Sequence, residues 1–268
     1  MSEWTLELKE LDDYWQWDDL AREKGWTDGL PIAPPTPDRV GAILAALPSG
    51  PDEIGVVPPE GGVLTREMLA AQCAMAGCKP EHGPVVLAAV HALLHPDFNL
   101  YGQQCTTNPS APLTIVSGPI VEELGFHTRE GAFGGGSHAS AAVGRAVRLV
   151  FWNVGGGKPG APDMSPLGSP AKYLFATAEN AADSPWTPIH TDFGFDEDAN
   201  CVTVFACAPP EPLLLAGNAE EILGTLRESL PSPGINMFHA NGQYLLTLNP
   251  RVAQEVAAGG YDRRAVRE

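Results

Sequence analysis

Residues 131–157, GAFGGGSHASAAVGRAVRLVFWNVGGG, decide how this chain folds: a glycine-rich loop, a long apolar segment and a second glycine cluster. Between the brackets, Ala139 to Val154 offers only Ser140, Arg145, Arg148 and Asn153 as strongly polar side chains. An amphipathic surface helix needs a wider polar face, so the spacing predicts a buried helix over 139–154. Ser137 is placed to cap its start, and Gly155 to end it in a left-handed conformation. Backbone N–H groups at the start of such a helix, reached through glycines that permit close approach, make a candidate anion site at Gly135, Gly136 and Ser137. The same residues also read as a tight turn before a core helix.

The rest of the chain supports a large globular body around that helix. Its 268 residues are 44% hydrophobic, enough for a sizeable core, and 29 glycines and 26 prolines are dispersed among apolar runs as turns. A formal charge of −17 disfavours nucleic acid and anionic membranes, which repel such a surface. The first residues show no basic and apolar leader pattern, and no run of eighteen apolar residues occurs, so a cytoplasmic protein is expected. Five cysteines, without the paired doublets of a zinc site, predict free thiols.

Outward from the centre, helices are expected at the N-terminus up to Gly25, from Pro37 to Leu47 behind Thr36, from Thr65 to Ala76 and from Pro80 to Leu94. Leu113–Val116, Lys172–Ala178, Asn200–Ala206 and Gln243–Leu248 read as strands, and Ala219–Leu230 and Pro250–Ala258 as helices. Together these predict a mixed α/β fold with the central helix packed on a mixed sheet. The main domain is expected over 1–200, with a small C-terminal α/β subdomain over 201–268, continuous with the first or separate.

Several residues could carry chemistry. Gly77 ends one helix and Pro80 opens the next, which sets Cys78 beside a helix N-terminus with Lys79 adjacent, an environment that stabilises a thiolate. Cys73 lies five residues earlier and off that helix face, so a Cys73–Cys78 redox pair is not expected. Thr106, Thr107 and Asn108 form a polar turn that either bonds itself or binds an anion. Arg145 is expected to hold a substrate anion, or else a structural ion pair, with Lys172 and Asn180 as further binding residues. Glu179 at a strand end, with His190, would move protons, and adding Asp192 gives one nitrogen and two carboxylates that admit a divalent metal. His82, His91, His95, His127, His138 and His239 read as surface or satisfied core residues. No dinucleotide, phosphate-loop or nucleophile-elbow motif occurs, so no nucleotide cofactor is expected and the cofactor is left unassigned.

Six stretches together carry a family resemblance: GWTDGLPIAPPT, MAGCKPEHGPVVLAA, DFNLYGQQCTTNPSAPLTIVSGPI, AAVGRAVRLVFWNVGG, SPAKYLFATAEN and SPWTPIH. They resemble a little-characterised bacterial family associated with proteins bearing the UGSC selenocysteine or cysteine motif. The resemblance implies redox or heteroatom-transfer work on a small molecule. This chain has no UGSC motif of its own, and it carries Asn108, Gly83 and Phe193 where the family usually has a histidine, an aromatic and an arginine. The expectation is an enzyme, an oxidoreductase or a lyase, acting on a small anionic organic molecule through Cys78 as thiolate. Two alternatives stay open: a metal-assisted or acid–base lyase or hydrolase using His190 and Glu179, and a non-catalytic partner of a UGSC-type protein. A homo-oligomer is compatible with each.

Overall fold

The computed structural model describes residues 4–160, 162–230 and 243–268. In chain order the elements are α1 (Tyr14–Glu23), α2 (Pro37–Ala46), β1 (Glu53–Val57), β2 (Gly62–Thr65), α3 (Arg66–Met75), α4 (Gly83–Leu94), α5 (Leu100–Gln104), β3 (Ala111–Ser117), α6 (Ile120–Glu123), α7 (His138–Asn153), β4 (Lys158–Pro159), β5 (Pro162–Asp163), β6 (Ala176–Ala178), β7 (Cys201–Cys207), α8 (Ala219–Ser229), α9 (Pro250–Ala258) and α10 (Arg263–Arg267). The fold is mixed α/β, as its alternating patterns predict.

The apolar segment is α7, and eleven of its sixteen residues are buried, including Ala142, Val143, Ala146, Val150 and Phe151. The Ser137 hydroxyl oxygen accepts the Ser140 N–H at 3.1 Å, the cap its position predicts. The expected stop at Gly155 is shifted by one residue. Gly156 takes the left-handed conformation at φ +70°, whereas a Cβ on Gly155 would lie 2.5 Å from the Pro58 carbonyl oxygen, so Gly155 is required by close approach.

The sheet beneath α7 has the order β6-β3-β7, with β6 parallel and β7 antiparallel to β3. Every residue of β3 is buried, as expected of a central strand covered on both faces. At Gly144 the helix backbone crosses β6 so closely that a Cβ would sit 3.0 Å from the Phe175 nitrogen and 3.1 Å from Ala176. One core joins α2, α3, α4 and α7 to residues of β3 and β6, with Val202 and Val204 of β7 packed against it.

Several strand expectations change. Residues 53–65 form a β1–β2 hairpin that is not among the expected strands. Lys172 belongs to a 3-10 turn, Pro170–Lys172, and only Ala176–Ala178 is extended, because a proline-led turn occupies the first half of the expected strand. Residues 243–248 form no strand. The C-terminal part is therefore helical among the described residues.

The chain divides into two compact units, Met1–Glu179 with Asp198–Pro209, and Asn180–Glu197 with Pro210–Glu268. The division differs from a boundary at residue 200, because β7 pairs with β3 along its whole length and so belongs to the first unit. In the second unit, Ile222 and Leu226 of α8 meet Val252 and Val256 of α9, with Trp186 and Tyr261 against them. The Trp186 indole N–H donates to the Tyr261 carbonyl at 3.3 Å and the Gln254 amide to the Asp183 carbonyl at 3.1 Å, which joins 180–197 to the C-terminal helices.

Candidate functional site

The first unit holds a thiol–imidazole cluster where α3 ends and α4 begins. The C-terminus of α3 closes in a Schellman reversal: Gly77 takes φ +82°, its N–H donates to the Ala74 carbonyl at 3.0 Å, and the Cys78 N–H donates to the Cys73 carbonyl at 2.9 Å. This motif brings together the side chains at its two ends, which here are both cysteines. The Cys78 N–H bond to the Cys73 carbonyl brings the backbones of the two cysteines together. The expectation that five residues of separation keep them apart is thereby corrected. Helix-face geometry applies only while the helix continues, and here the left-handed glycine folds the chain back.

Past the reversal, Lys79 caps a 3-10 turn, Pro80–His82, that runs into α4. Cys78 stands one residue before this cap, so its sulfur is at the approach to the helix start and not within its first turn. The Lys79 N–H donates to His82 Nδ1 at 3.3 Å, which leaves Nε2 as the proton-bearing nitrogen. His82 is 2% exposed and Cys78 6% exposed. The hydrogen bond with Cys73, and then the hydrogen bond and charge of His82, outweigh burial and bring the Cys78 thiol down to about 7. Cys73, held by its hydrogen bond to Cys78 and by full burial, is pushed well above the ordinary thiol range. The two thiols are therefore unequal: Cys78 is the more readily ionised and Cys73 the less.

The start of α7 supplies the other wall. The Cys78 thiol reaches the Ala142 carbonyl at 3.4 Å. The His138 ring lies 5.3 Å from the His82 ring, and its Nε2 is 2.8 Å from the Gly77 carbonyl, which accepts its proton. Two of the histidines read from sequence as surface or core residues thus belong to this cluster. The spacing Cys-x3-His over 78–82, and the string CAMAGC with a glycine in the left-handed position, were the signals that could have found it.

The other sequence-derived candidates have local partners. Arg145 directs Nη2 to Asp28 Oδ1 at 2.7 Å, Nε to Oδ2 at 3.3 Å, and further donors to the Pro31 and Leu30 carbonyls. It is a structural ion pair, the alternative that its sequence position left open. Lys172 is paired with the buried Asp163 at 2.6 Å. The Thr106 hydroxyl accepts the Asn108 N–H at 3.0 Å and the Asn108 side chain accepts the Ser110 N–H at 3.1 Å, so these residues make the self-bonded turn, and Thr107 lies between them. Gly135 and Gly136 are exposed, while the Ser137 hydroxyl, besides capping α7, donates to the Gly125 carbonyl at 2.9 Å. Of the anion-binding set expected around α7, Asn108, Ser137, Arg145 and Lys172 have partners within the protein, and Gly135 and Gly136 are exposed.

The Glu179 N–H donates to the Val116 carbonyl at 2.9 Å, continuing the β3–β6 ladder. In the second unit, the Asn180 amide donates to Asp183 Oδ2 at 3.0 Å. His190 is buried, with Nε2 3.0 Å from the Asp196 carbonyl. Asp192 is ion-paired with Arg263 and, at 2.8 Å, with Arg267, and the Arg263 hydrogen bond leads the causes that hold its carboxyl below the usual range. The Asp192 carboxylate is thus neutralised by two guanidinium groups, while His190 Nδ1 is buried with no hydrogen-bond partner among the described residues. Among the described residues no group of three or more histidine, cysteine and carboxylate side chains is placed to hold a metal ion. No helix among them is long and apolar enough to cross a membrane.

Comparison of the chain with protein-family models, with curated proteins and with solved structures gives no match. The reading of function therefore rests on the thiol–imidazole cluster itself.

Proposed function

We propose that this chain is an enzyme that works through the Cys78 thiolate, assisted by His82, on a small organic anion. The observation that carries the reading is the geometry of the cluster: Cys78 stands at the reversal after Gly77, four residues before the buried His82, whose ring lies 5.3 Å from that of His138, and its surroundings bring the thiol down to about 7. At neutral pH a substantial fraction of Cys78 is then the nucleophilic form, which an ordinary cysteine reaches only above about 8. The Ala142 carbonyl, 3.4 Å from the sulfur, accepts from the protonated thiol, and Cys73 and His82 act in the opposite direction.

The chemistry follows from this arrangement. Cys78 Sγ attacks an electrophilic sulfur or carbon, and His82 holds the proton at Nε2 and can return it to the leaving group. Because Cys78 is nearly covered, the reagent must be small. Arg145 and Lys172 are neutralised by Asp28 and Asp163, so the positive charge that favours an anion comes from Lys79, with N–H donors from His82 and His138. The resemblance to the UGSC-associated family supports the same class of work, redox or carbon–heteroatom chemistry.

Alkylation tests the reading without knowledge of the natural substrate. Rates with iodoacetate (anionic) and iodoacetamide (neutral) are measured on the full chain and on a free small thiol at the same pH. The expected outcome is an iodoacetate-to-iodoacetamide ratio several-fold above that of the free thiol, with modification at Cys78 removed by Cys78→Ser while circular dichroism is unchanged. Equal ratios would sink the anion preference, and labelling that ignores Cys78 would sink the thiolate assignment.

A further inference from the structure

The end of α3 places a second sulfur within disulfide reach of the first. A hydrogen bond of 2.9 Å from the Cys78 N–H to the Cys73 carbonyl keeps the two Cα atoms no more than about 6.8 Å apart by standard backbone dimensions. Disulfides span roughly 4.4–6.8 Å between Cα atoms, so this reversal already holds the pair within that range. The two cysteines stand at the two ends of the motif, where side chains commonly pack together, and here both are thiols. Cys73 is fully buried and Cys78 is 6% exposed, so a small reagent meets Cys78 first and Cys73 afterwards. The segment between them is clamped to α7 through His138 and the Gly77 carbonyl, at 2.8 Å, and through Cys78 and the Ala142 carbonyl.

We propose that Cys73 is the resolving thiol of a two-cysteine redox centre whose substrate class is a low-molecular-weight disulfide. The inference rests on the reading of Cys78 as the reactive thiolate and selects the redox arm of it. In the first step Cys78 Sγ attacks one sulfur of RSSR, forming a mixed disulfide and expelling RS⁻. In the second, Cys73 Sγ attacks the Cys78 sulfur, breaking the mixed disulfide and expelling the second RS⁻. The two thiol protons of the protein leave with the two RS⁻ groups as two RSH. The substrate disulfide is reduced, and the protein dithiol is oxidised to a disulfide between Cys73 and Cys78. The unequal protonation of the pair sets the order, because the thiolate attacks first and the protonated thiol is kept for resolution.

Mass mapping of the full chain after incubation with glutathione disulfide tests this. Cleavage after Glu67 and Glu81 releases 68–81, which holds Cys73 and Cys78 and no other cysteine. The expected result is a 68–81 peptide lighter by two hydrogens that recovers its mass on reduction. In Cys73→Ser the same peptide is expected to carry one glutathionyl group on Cys78. A wild-type peptide that stops at the glutathionyl adduct, or that is unmodified while iodoacetate still labels Cys78, overturns the resolving role and leaves the thiolate reading intact. A peptide inert to both reagents overturns both. The wild-type measurement needs no substitution, so instability of the Cys73 variant does not blunt the test.

Discussion

Cys78 owes its lowered pKa to residues close to it in sequence, Cys73 behind and His82 ahead, each brought to the sulfur by a turn. The direction of the shift gives a pH signature. Alkylation at Cys78 depends on the thiolate fraction, so its rate should rise with pH and level off just above about 7, where an ordinary thiol is still climbing. Replacing His82 by Gln removes the imidazole whose contact lowers the thiol, and the midpoint of that profile is expected to move up toward the ordinary thiol range near about 8.5. A pH series of iodoacetamide labelling rates measures it, and an unmoved midpoint would leave His82 with a packing role only. The other thiols behave differently. Burial pushes Cys207 up to about 11, so it is expected to stay unlabelled across the same range.

Two elements bear the site, the end of α3 and the start of α7. At the end of α3, Gly77 holds φ +82° with no atom within 4 Å of where a Cβ would stand, so the only objection to a side chain is the backbone conformation. Gly77→Ala should therefore cost about 1–2 kcal/mol in urea-monitored stability, the penalty of a left-handed non-glycine residue. It should also slow disulfide closure, because the reversal is what apposes the two sulfurs. A neutral effect on both readouts would remove the Schellman turn from the account. The start of α7 was legible from Ser137 and the apolar run behind it, and the structure adds what the glycines around it do. Gly144 permits contact with β6, and Gly155 permits contact with the hairpin loop at Pro58. The exposed Gly135 and Gly136 have no such tertiary contact.

Within the first unit, the N-terminal segment is fastened along α7. Trp152 donates to the Gly25 carbonyl at 2.8 Å, Asn153 to the Trp26 carbonyl at 2.9 Å, and Arg145 to Asp28 and its neighbours. The Arg145 and Asp28 side chains are 13% and 2% exposed, so removing one strands the other's charge in a nearly dry place. Arg145→Ala is expected to destabilise the chain by roughly 3–5 kcal/mol. The iodoacetate-to-iodoacetamide ratio at Cys78 should stay unchanged under conditions where the variant is folded. Loss of that preference with the fold intact would restore Arg145 to the anion site.

The sequence by itself determined the central helix and its cap, the strands at 113–116 and 200–206, which the structure sets at 111–117 and 201–207, and Cys78 as the thiol to watch. These follow from local periodicity, capping chemistry and the position of a glycine, all of which act within a few residues. Only the tertiary structure decided that Arg145 and Lys172 face carboxylates in place of a substrate, since Asp28 is more than a hundred residues from Arg145 and no spacing rule links them. It alone brought His138 against His82, and it assigned β7 to the first unit through its pairing with β3. Long-range pairing is chosen by which surfaces exclude water together, and that choice is made by the folded chain as a whole.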